Sequence, residues 1–239
     1  MNDPHRFLDH PTVSRERWLE ARRALLAREK ELTRQRDELS AARRALPWVR
    51  VEEPYRFETD AGIRTLPELF AGRSQLVIYH LMFGPDWEEA CKSCSFWADN
   101  FNGITVHLGH RDVTLMAVSR APLAKLQRFA RRMGWSFPWA SSPDRFNFDF
   151  GVSFTPEQLA TGQIAYNYAG HKAHTTEMPG ISVFAKAANG EVFHTYSCYA
   201  RGLDMLNGAY HYLDLVPKGR DEAELPFTMA WLRLHDRYE

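Results

Sequence analysis

The stretch from Gln75 to Phe83, with the sequence QLVIYHLMF, restricts the fold more than any other part of the chain. It is almost continuously apolar, which is typical of a strand buried on both faces of a sheet. Gly84 and Pro85 end this strand, and residues 91–102 then have the pattern of a short helix. A buried strand followed by a helix predicts an α/β protein with a central sheet.

The chain beyond this point continues to alternate strands and helices. Val113 to Val118 is a second apolar strand, and a helix with one apolar side runs from Pro122 to Met133. Ile181 to Lys186 and Glu191 to Tyr196 flank an Asn-Gly pair, which is typical of an antiparallel hairpin. A closing helix is marked between Leu203 and Leu213. A parallel βαβ half followed by a ββα half predicts a thioredoxin-like fold with a mixed central sheet.

A long helix precedes this region. The sequence predicts that it begins after Ser14, a suitable N-cap, and continues to Leu46, where Pro47 stops it. A single apolar stripe recurs every seven residues, at Trp18, Leu25, Leu32, Leu39 and Leu46. The other heptad seam is too polar for a coiled coil. The stripe therefore either covers part of its own domain or packs on a second subunit; we favour the second interpretation, a homodimer through this helix.

The distribution of charge also indicates a boundary near the end of this helix. Lys plus Arg and Asp plus Glu both number 30, yet residues 15–50 hold eleven basic and six acidic residues, so the remainder is acidic. We therefore predict a helical arm at residues 1–46 and a thioredoxin-like domain at residues 47–239, with an irregular insertion at about residues 137–177. The zero net charge and the acidic residues within the arm argue against a nucleic-acid partner.

Composition limits the class of protein further. Hydrophobic residues make up 44% of the 239 residues, which excludes a disordered chain. Three cysteines are too few for a disulfide scaffold in a chain of this length. No apolar run approaches the ~20 residues of a membrane helix, and the charged N-terminal thirty residues do not resemble a signal peptide. We expect a cytoplasmic protein with reduced thiols and no membrane contact.

The chemistry is concentrated at Cys91-Lys92-Ser93-Cys94. Cysteines at positions i and i+3 share one face of a helix and can form a disulfide. At a helix start, unpaired backbone N–H groups stabilise a thiolate, so Cys91 is the predicted nucleophile and Cys94 the resolving thiol. Lys92 should favour the thiolate, whereas Glu88 and Glu89 should oppose it. The motif predicts a dithiol–disulfide oxidoreductase whose substrate is a protein or small disulfide, with no cofactor.

Two other interpretations of these cysteines stay open. They could be structural, in a non-enzymatic thioredoxin-fold protein that offers its groove to a partner. They could also bind zinc together with His107 and His110. These histidines are closer together than in most zinc sites, and they lie in a glycine-containing stretch, HLGH, that is predicted to be a loop. The third cysteine, Cys198, is predicted to be a small buried residue.

A thiol peroxidase is the disfavoured alternative within redox chemistry. Peroxiredoxins resemble thioredoxins, but their reactive cysteine follows the pattern Pro-x-x-x-Thr/Ser-x-x-Cys. Here Glu88 stands where the hydroxyl residue would be, and Pro85 is one place away from the proline position. The hydroxyl that orients a peroxide is therefore absent from the expected position.

Nearly the whole chain resembles a bacterial family of thioredoxin-like proteins of unknown function, described as predicted dithiol–disulfide oxidoreductases. The resemblance is carried by several stretches, among them YHLMFGPDW, CKSCSFWADNFNG, HLGHRDVTLMAVSRAPL, RRMGWSFPWASS, GEVFHTYSCYARGLDML and YLDLVPKGRDE. It implies a redox role for the two cysteines of CKSC. It also implies site neighbours at Asp86, Trp87, Trp97, Asp99, Asn100 and Arg120, of which Trp87 and Arg120 are the predicted substrate contacts.

Pro179 is the third predicted substrate contact. It precedes the hairpin strand, where thioredoxin-like proteins carry a cis-proline that faces the active disulfide and positions the substrate backbone. An ordinary trans proline in a loop is the alternative interpretation.

Overall fold

Helices and strands alternate through residues 9–162 and 164–238, the part of the chain described by this computed structural model. The helices are α1 (Arg15–Arg44), α2 (Leu66–Leu69), α3 (Lys92–Ala98), α4 (Thr105–His110), α5 (Leu123–Arg132), α6 (Phe146–Asp149), α7 (Pro156–Ala160) and α8 (Gly208–Leu213), with 3-10 helices at Ala200–Leu206 and His235–Arg237. The strands are β1 (Val49–Arg50), β2 (Arg56–Thr59), β3 (Gly62–Thr65), β4 (Gln75–His80), β5 (Val113–Ser119), β6 (Trp139–Ser141), β7 (Ile164–Tyr166), β8 (Ala169–His171), β9 (Gly180–Lys186) and β10 (Val192–Tyr199). In this range no helix is both long and apolar enough to cross a membrane.

The central sheet has eight strands in the order β1-β10-β9-β4-β5-β6-β2-β3. Strands β4 and β5 are parallel, and β9 is antiparallel to both β4 and β10. The inner order β5-β4-β9-β10, with a helical crossover from β4 to β5 and a hairpin from β9 to β10, is the predicted thioredoxin-like arrangement. The fold is therefore α/β and thioredoxin-like, with a mixed sheet.

Strand β4 is buried on both faces, which accounts for its continuous apolar sequence. Tyr79 and Leu81 face an apolar cluster that contains α3 and α5 residues, and Leu76 and Ile78 face a second cluster on the other side of the sheet. The hydrogen-bonded ladder continues past the strand, since the Leu81 N–H donates to the Val118 carbonyl at 3.0 Å. The residues that follow β4 therefore leave the sheet at its carboxyl edge, beside the end of β5.

The structure differs from the sequence-based expectation in three places. The expected insertion at about residues 137–177 begins with β6, which pairs in parallel with β5 and belongs to the central sheet. The HLGH stretch is helix α4, not a loop. The expected closing helix is divided by Asn207, whose side chain caps the start of α8 by accepting from the Tyr210 N–H, so a 3-10 turn precedes a short α-helix.

Helix α1 has the predicted extent and cap. The Ser14 hydroxyl accepts a hydrogen bond from the Arg17 N–H at 3.4 Å, and the helix ends at Arg44. Its apolar stripe is exposed: Trp18, Leu25, Leu32, Leu39 and Leu46 each keep between 45% and 57% of their surface accessible. Arg43 lies over the Tyr196 ring of β10 at 5.7 Å, so the end of the helix contacts the sheet. Packing of the stripe on a second subunit stays a prediction.

In the monomeric chain, we expect Leu32→Ala to change the free energy of unfolding by less than about 0.5 kcal/mol, because this side chain is exposed; the predicted homodimer through α1 would raise this cost. Leu76→Ala, in the fully buried face of β4, should cost about 2–5 kcal/mol. Urea unfolding followed by tryptophan fluorescence measures both. A cost above about 1 kcal/mol for Leu32→Ala would show that the stripe is covered in solution.

Candidate active site

The two cysteines of the CKSC motif lie where the chain returns from the edge of the sheet and enters α3. Cys91 is the residue before the first turn, and its backbone N–H donates to the Met82 carbonyl at 3.0 Å. The Cys91 carbonyl accepts from the Ser95 N–H at 2.9 Å and from the Ser95 hydroxyl at 3.0 Å. The bond to Met82 closes residues 83–90 into a loop and fixes Cys91 beside the end of β4, and the bonds from Ser95 belong to the first turn of α3.

The two thiols are both free and have unequal surroundings. Cys91 is partly exposed, whereas only 2% of Cys94 is accessible. The pKa of Cys91 is lowered to about 6, chiefly by a hydrogen bond from the Cys94 thiol, and further by the backbone N–H groups of Cys94 and Ser93 and by the Ser93 hydroxyl; burial opposes these effects. Burial raises the pKa of Cys94 well above its usual value, and the neighbouring Cys91 sulfur raises it further.

Charged residues near the motif act differently from the sequence-based expectation. Glu89 forms ion pairs with Arg132 and Arg237, so its charge is compensated, and Glu88 points to solvent near Lys125. The Lys92 ammonium donates to the Ala230 carbonyl at 3.4 Å. The Cys91 thiolate is therefore held mainly by hydrogen bonds within the motif.

A cavity of about 250 Å³ opens at both sulfurs. Its lining residues come from β4 and the segment after it, from α3, and from three distant parts of the chain: Tyr79, Met82, Cys91, Ser93, Cys94, Trp97, Pro179, Ala200, Arg201, Leu203, Asp204 and Met229. Most of these side chains are apolar. The Trp97 indole N–H donates to the Leu203 carbonyl at 2.8 Å, which ties α3 to the opposite wall.

Of the three predicted substrate contacts, Pro179 lines this cavity. Its peptide bond is trans, since residues 9–162 and 164–238 contain no cis peptide. Trp87 and Arg120 do not belong to the described residues that line the cavity. Trp87 packs against Gly84 and the adjoining apolar cluster, and Arg120 pairs with the buried carboxylate of Glu177 at 2.9 Å.

Tyr166 holds two walls of the cavity together. Its hydroxyl donates to the Pro179 carbonyl at 2.7 Å and accepts from the Ala200 N–H at 3.0 Å. Ala200 has a positive φ of 48°, an uncommon conformation for a residue with a Cβ, so this contact helps to hold a strained position. Tyr166 comes from β7, within the region that the sequence suggested was irregular.

The C-terminal segment, residues 222–238, covers one side of the site. Met229 lines the cavity with a φ of 67°. One carboxylate oxygen of Glu222 accepts from the Met229 N–H at 3.0 Å, from the Trp231 indole N–H at 2.7 Å and from the Tyr210 hydroxyl at 2.8 Å. Trp231 also packs edge-on against Phe96 of α3, with 5.7 Å between ring centroids. The segment is therefore attached both to α3 and to α8.

The structure does not assemble the alternative zinc site. His107 and His110 lie on α4, and no group of three or more His, Cys, Asp or Glu side chains in residues 9–162 and 164–238 is placed to hold a metal ion. Cys198 is buried in the cluster that contains Cys94, and burial raises its pKa. This position agrees with the predicted packing role.

Among the remaining predicted neighbours of the cysteines, Asp99 and Asn100 form hydrogen bonds within the fold. Asp99 accepts from the Trp135 indole N–H at 2.7 Å and lies 2.8 Å from His235, so it links α3 to the C-terminal segment. The Asn100 amide donates to the Phe96 carbonyl at the end of α3. Asp86 is exposed.

Several site residues escaped the sequence analysis. Ser93 lies inside the CKSC motif, so its hydroxyl is visible in the sequence itself. Tyr79 faces α3 because it alternates with Ile78 along β4, and its hydroxyl donates to the Cys94 carbonyl at 3.4 Å. Leu203 and Met229 carry no local signal, since only the tertiary fold brings them to the cysteines.

Residues 8–238 match the family described as "Bacterial protein of unknown function (DUF899)". The chain belongs to this family. The match covers nearly all of the sequence, as the resemblance predicted. A search of curated proteins finds no match for this DUF899 protein.

Solved structures similar to this DUF899 protein include peroxiredoxins. Peroxiredoxin Q of Xanthomonas campestris is 15% identical, with a TM-score of 0.46, over 70% of this chain and 96% of the other. Peroxidoxin BcpB of Mycobacterium tuberculosis is 13% identical, with a TM-score of 0.45, over 67% and 93% of the two chains. Likeness at this level assigns no activity. This likeness also does not support the expectation that a thiol peroxidase is disfavoured.

The lowered pKa of Cys91 gives a test of the site. The rate of alkylation by iodoacetamide should rise with pH through a midpoint near 6, because the thiolate is the reacting form. Cys94→Ala should move this midpoint upward more than Ser93→Ala does, since the Cys94 thiol supplies the larger stabilising hydrogen bond. Mass spectrometry of Cys91 alkylation across pH measures all three midpoints. A larger shift for Ser93→Ala would contradict the assignment.

The Tyr166 contact gives a second test. Tyr166→Phe keeps the ring but leaves the Pro179 carbonyl and the Ala200 N–H without this partner, so the free energy of unfolding should fall by about 1–3 kcal/mol. Tyr168→Phe is the matched control, because the side chain of this tyrosine is largely exposed and its hydroxyl makes a single hydrogen bond among the described residues, to the Ser197 carbonyl. It should change stability by less than about 0.5 kcal/mol. Equal losses in urea unfolding would show that the Tyr166 hydroxyl has no special role.

Proposed function

We propose that this protein is a dithiol–disulfide oxidoreductase in which Cys91 is the nucleophile and Cys94 the resolving thiol. The supporting observation is the unequal environment of the two sulfurs. A partly exposed thiol with a pKa near 6 is substantially ionised at neutral pH, and beside it a buried thiol stays protonated. Thiol–disulfide exchange needs a thiolate that attacks first and a second thiol that acts afterwards.

In the first step, the Cys91 thiolate attacks one sulfur of a substrate disulfide. A bond forms between the Cys91 sulfur and that sulfur, and the other substrate sulfur leaves as a thiolate. The hydrogen bonds from Ser93 and Cys94 hold the nucleophile in place, and the apolar cavity admits the substrate beside it.

In the second step, Cys94 attacks the Cys91 sulfur. The first step removes the negative charge from Cys91, and that charge is one of the causes that raise the pKa of Cys94. Cys94 therefore loses its proton more easily once the mixed disulfide has formed. The Met82 N–H hydrogen-bonds to its sulfur and, with the nearby Tyr79 hydroxyl, favours the thiolate. A protein disulfide forms, the second substrate thiol leaves, and two electrons have passed to the substrate.

The cycle needs an external reductant of the dithiol or thiol class to reopen the Cys91–Cys94 disulfide by the same exchange in reverse. In the opposite physiological direction, the oxidised pair would accept electrons from a substrate dithiol. The reduction potential of the pair relative to its partners sets the direction.

Trapping experiments test the assignment of roles. Cys94→Ser should accumulate a mixed disulfide at Cys91 after exposure to bis(2-hydroxyethyl) disulfide, because the serine hydroxyl can still donate to Cys91 but cannot resolve the adduct. Cys91→Ser should form no comparable adduct, since Cys94 is buried and its pKa is raised. Intact-protein mass spectrometry measures the adducts.

Cys198→Ser is the control, because Cys198 lies in the core and has no role in the proposed cycle. It should form the Cys91–Cys94 disulfide as the unmodified chain does. If Cys94→Ser formed no adduct through Cys91, the proposed oxidoreductase would be rejected.

A thiol peroxidase is the second candidate, and the Ser93 hydroxyl is the observation that favours it. This hydroxyl hydrogen-bonds to the Cys91 sulfur, although it comes from within the motif and not from the upstream position that peroxiredoxins use. A hydroperoxide would convert the Cys91 thiolate to a sulfenic acid and release an alcohol, with one proton taken up from water, after which the Cys94 thiol would attack the sulfenic sulfur to form the disulfide and release water. Accumulation of a Cys91 sulfenic acid in Cys94→Ser treated with stoichiometric cumene hydroperoxide would identify this activity.

A further inference from the structure

The cavity at the two sulfurs has mainly apolar walls. The larger apolar side chains around it are Tyr79, Met82, Trp97, Pro179, Leu203 and Met229. Such walls favour a ligand with apolar groups next to its reacting atoms, because those groups leave water on binding.

The charges at the cavity compensate one another. The two charged lining residues, Arg201 and Asp204, form an ion pair at 2.9 Å. Asp204 also pairs with Arg220 at 3.2 Å, and Arg220 pairs with Asp214 at 2.8 Å. A charged ligand would lose hydration on entry and would have to compete with these existing pairs for a partner.

The C-terminal segment limits the shape of the ligand. Met229 stands in the wall beside the sulfurs, held by the Glu222 carboxylate through its backbone N–H. On either side of it, Ala230 accepts from Lys92 and Trp231 packs on Phe96, so the segment lies against the start of α3. The disulfide of a folded protein carries chain on both sides of each sulfur. That chain would have to occupy the space that this segment fills.

The volume of the cavity favours a small ligand. At about 250 Å³ it is smaller than pockets for drug-sized ligands, which measure about 300–1,000 Å³. A disulfide with two short alkyl arms is of suitable size.

We infer that the Cys91–Cys94 site takes small, uncharged disulfides with apolar arms and excludes the disulfides of folded proteins. The inference rests on the proposed oxidoreductase function and names its substrate class. The reaction consumes one substrate disulfide, the Cys91 thiolate and the Cys94 thiol. It yields the protein disulfide, one substrate thiol and one substrate thiolate, with two electrons passing to the substrate.

Two disulfides of equal length separate the effect of charge from that of size. Dipropyl disulfide and cystamine both have eight non-hydrogen atoms, but cystamine carries an ammonium in place of each terminal methyl group. Each rate of oxidation of the reduced protein is divided by the rate of the same disulfide with dithiothreitol, which removes intrinsic reactivity. The normalised rate should be at least about tenfold higher for dipropyl disulfide, since its arms gain by burial and the ammonium groups lose hydration.

A substitution in the wall tests whether the cavity is responsible. Met229→Glu places a carboxylate beside the sulfurs and should reduce the preference for dipropyl disulfide over cystamine by at least about tenfold. Met229→Gln is the matched control, equal in size and uncharged, and should retain most of the preference. The pH midpoint of Cys91 alkylation is measured in each variant, so that a change in thiolate content is separated from a change in substrate selection.

Insulin serves as the protein disulfide in this comparison. Its normalised rate should be at least about tenfold below that of dipropyl disulfide. Equal or faster normalised oxidation by cystamine or by insulin would overturn the inference, as would a preference unchanged in Met229→Glu. The proposed function would survive such a result if Cys94→Ser still trapped a mixed disulfide at Cys91. Absence of that adduct with every disulfide would instead reject the oxidoreductase itself.

Discussion

The backbone of Met82 fixes the relation between the dithiol and the sheet. Its carbonyl accepts from the Cys91 N–H at 3.0 Å, and its N–H hydrogen-bonds to the Cys94 sulfur. Met82 follows β4, the strand that pairs with β5 on one side and β9 on the other, so both cysteines are anchored to the most constrained part of the fold. The unequal properties of the two thiols depend on this anchor, because it leaves Cys91 at the surface and turns Cys94 into the core.

The parts of this architecture with a local sequence signal were predictable. β4 was visible as an apolar run, the cysteine pair as a motif at a helix start, and the β9–β10 hairpin as two alternating segments around Asn189-Gly190. Gly190 adopts a φ of 87°, which explains why glycine occupies that turn. Each of these features arises from interactions between residues close in sequence, so the sequence alone displays them.

The parts that were missed depend on contacts between distant residues. β6 is only three residues long and becomes a strand by pairing with β5. The expected repulsion between Glu89 and the Cys91 thiolate is weakened by Arg132 and Arg237, which lie 43 and 148 residues further along the chain. The same holds for Met229, whose position depends on hydrogen bonds to Glu222. No periodicity or motif encodes such pairs, and only the folded chain reveals them.

The site combines the strand–helix core of the sheet with two segments from outside that core. β4, the segment after it and α3 supply the two sulfurs and the hydrogen bonds that set their pKa values. Tyr166, from β7, holds the Pro179 and Ala200 walls together, and Met229, from the C-terminal segment, forms part of another wall. Both stand next to strained backbone, at Ala200 and at Met229 itself, where φ is positive without glycine. Strain of this kind persists only where surrounding contacts impose it, and here those contacts shape the space in front of the sulfurs. In the proposed exchange, reactivity would depend on the core, and selection among substrates on the segments that form the walls.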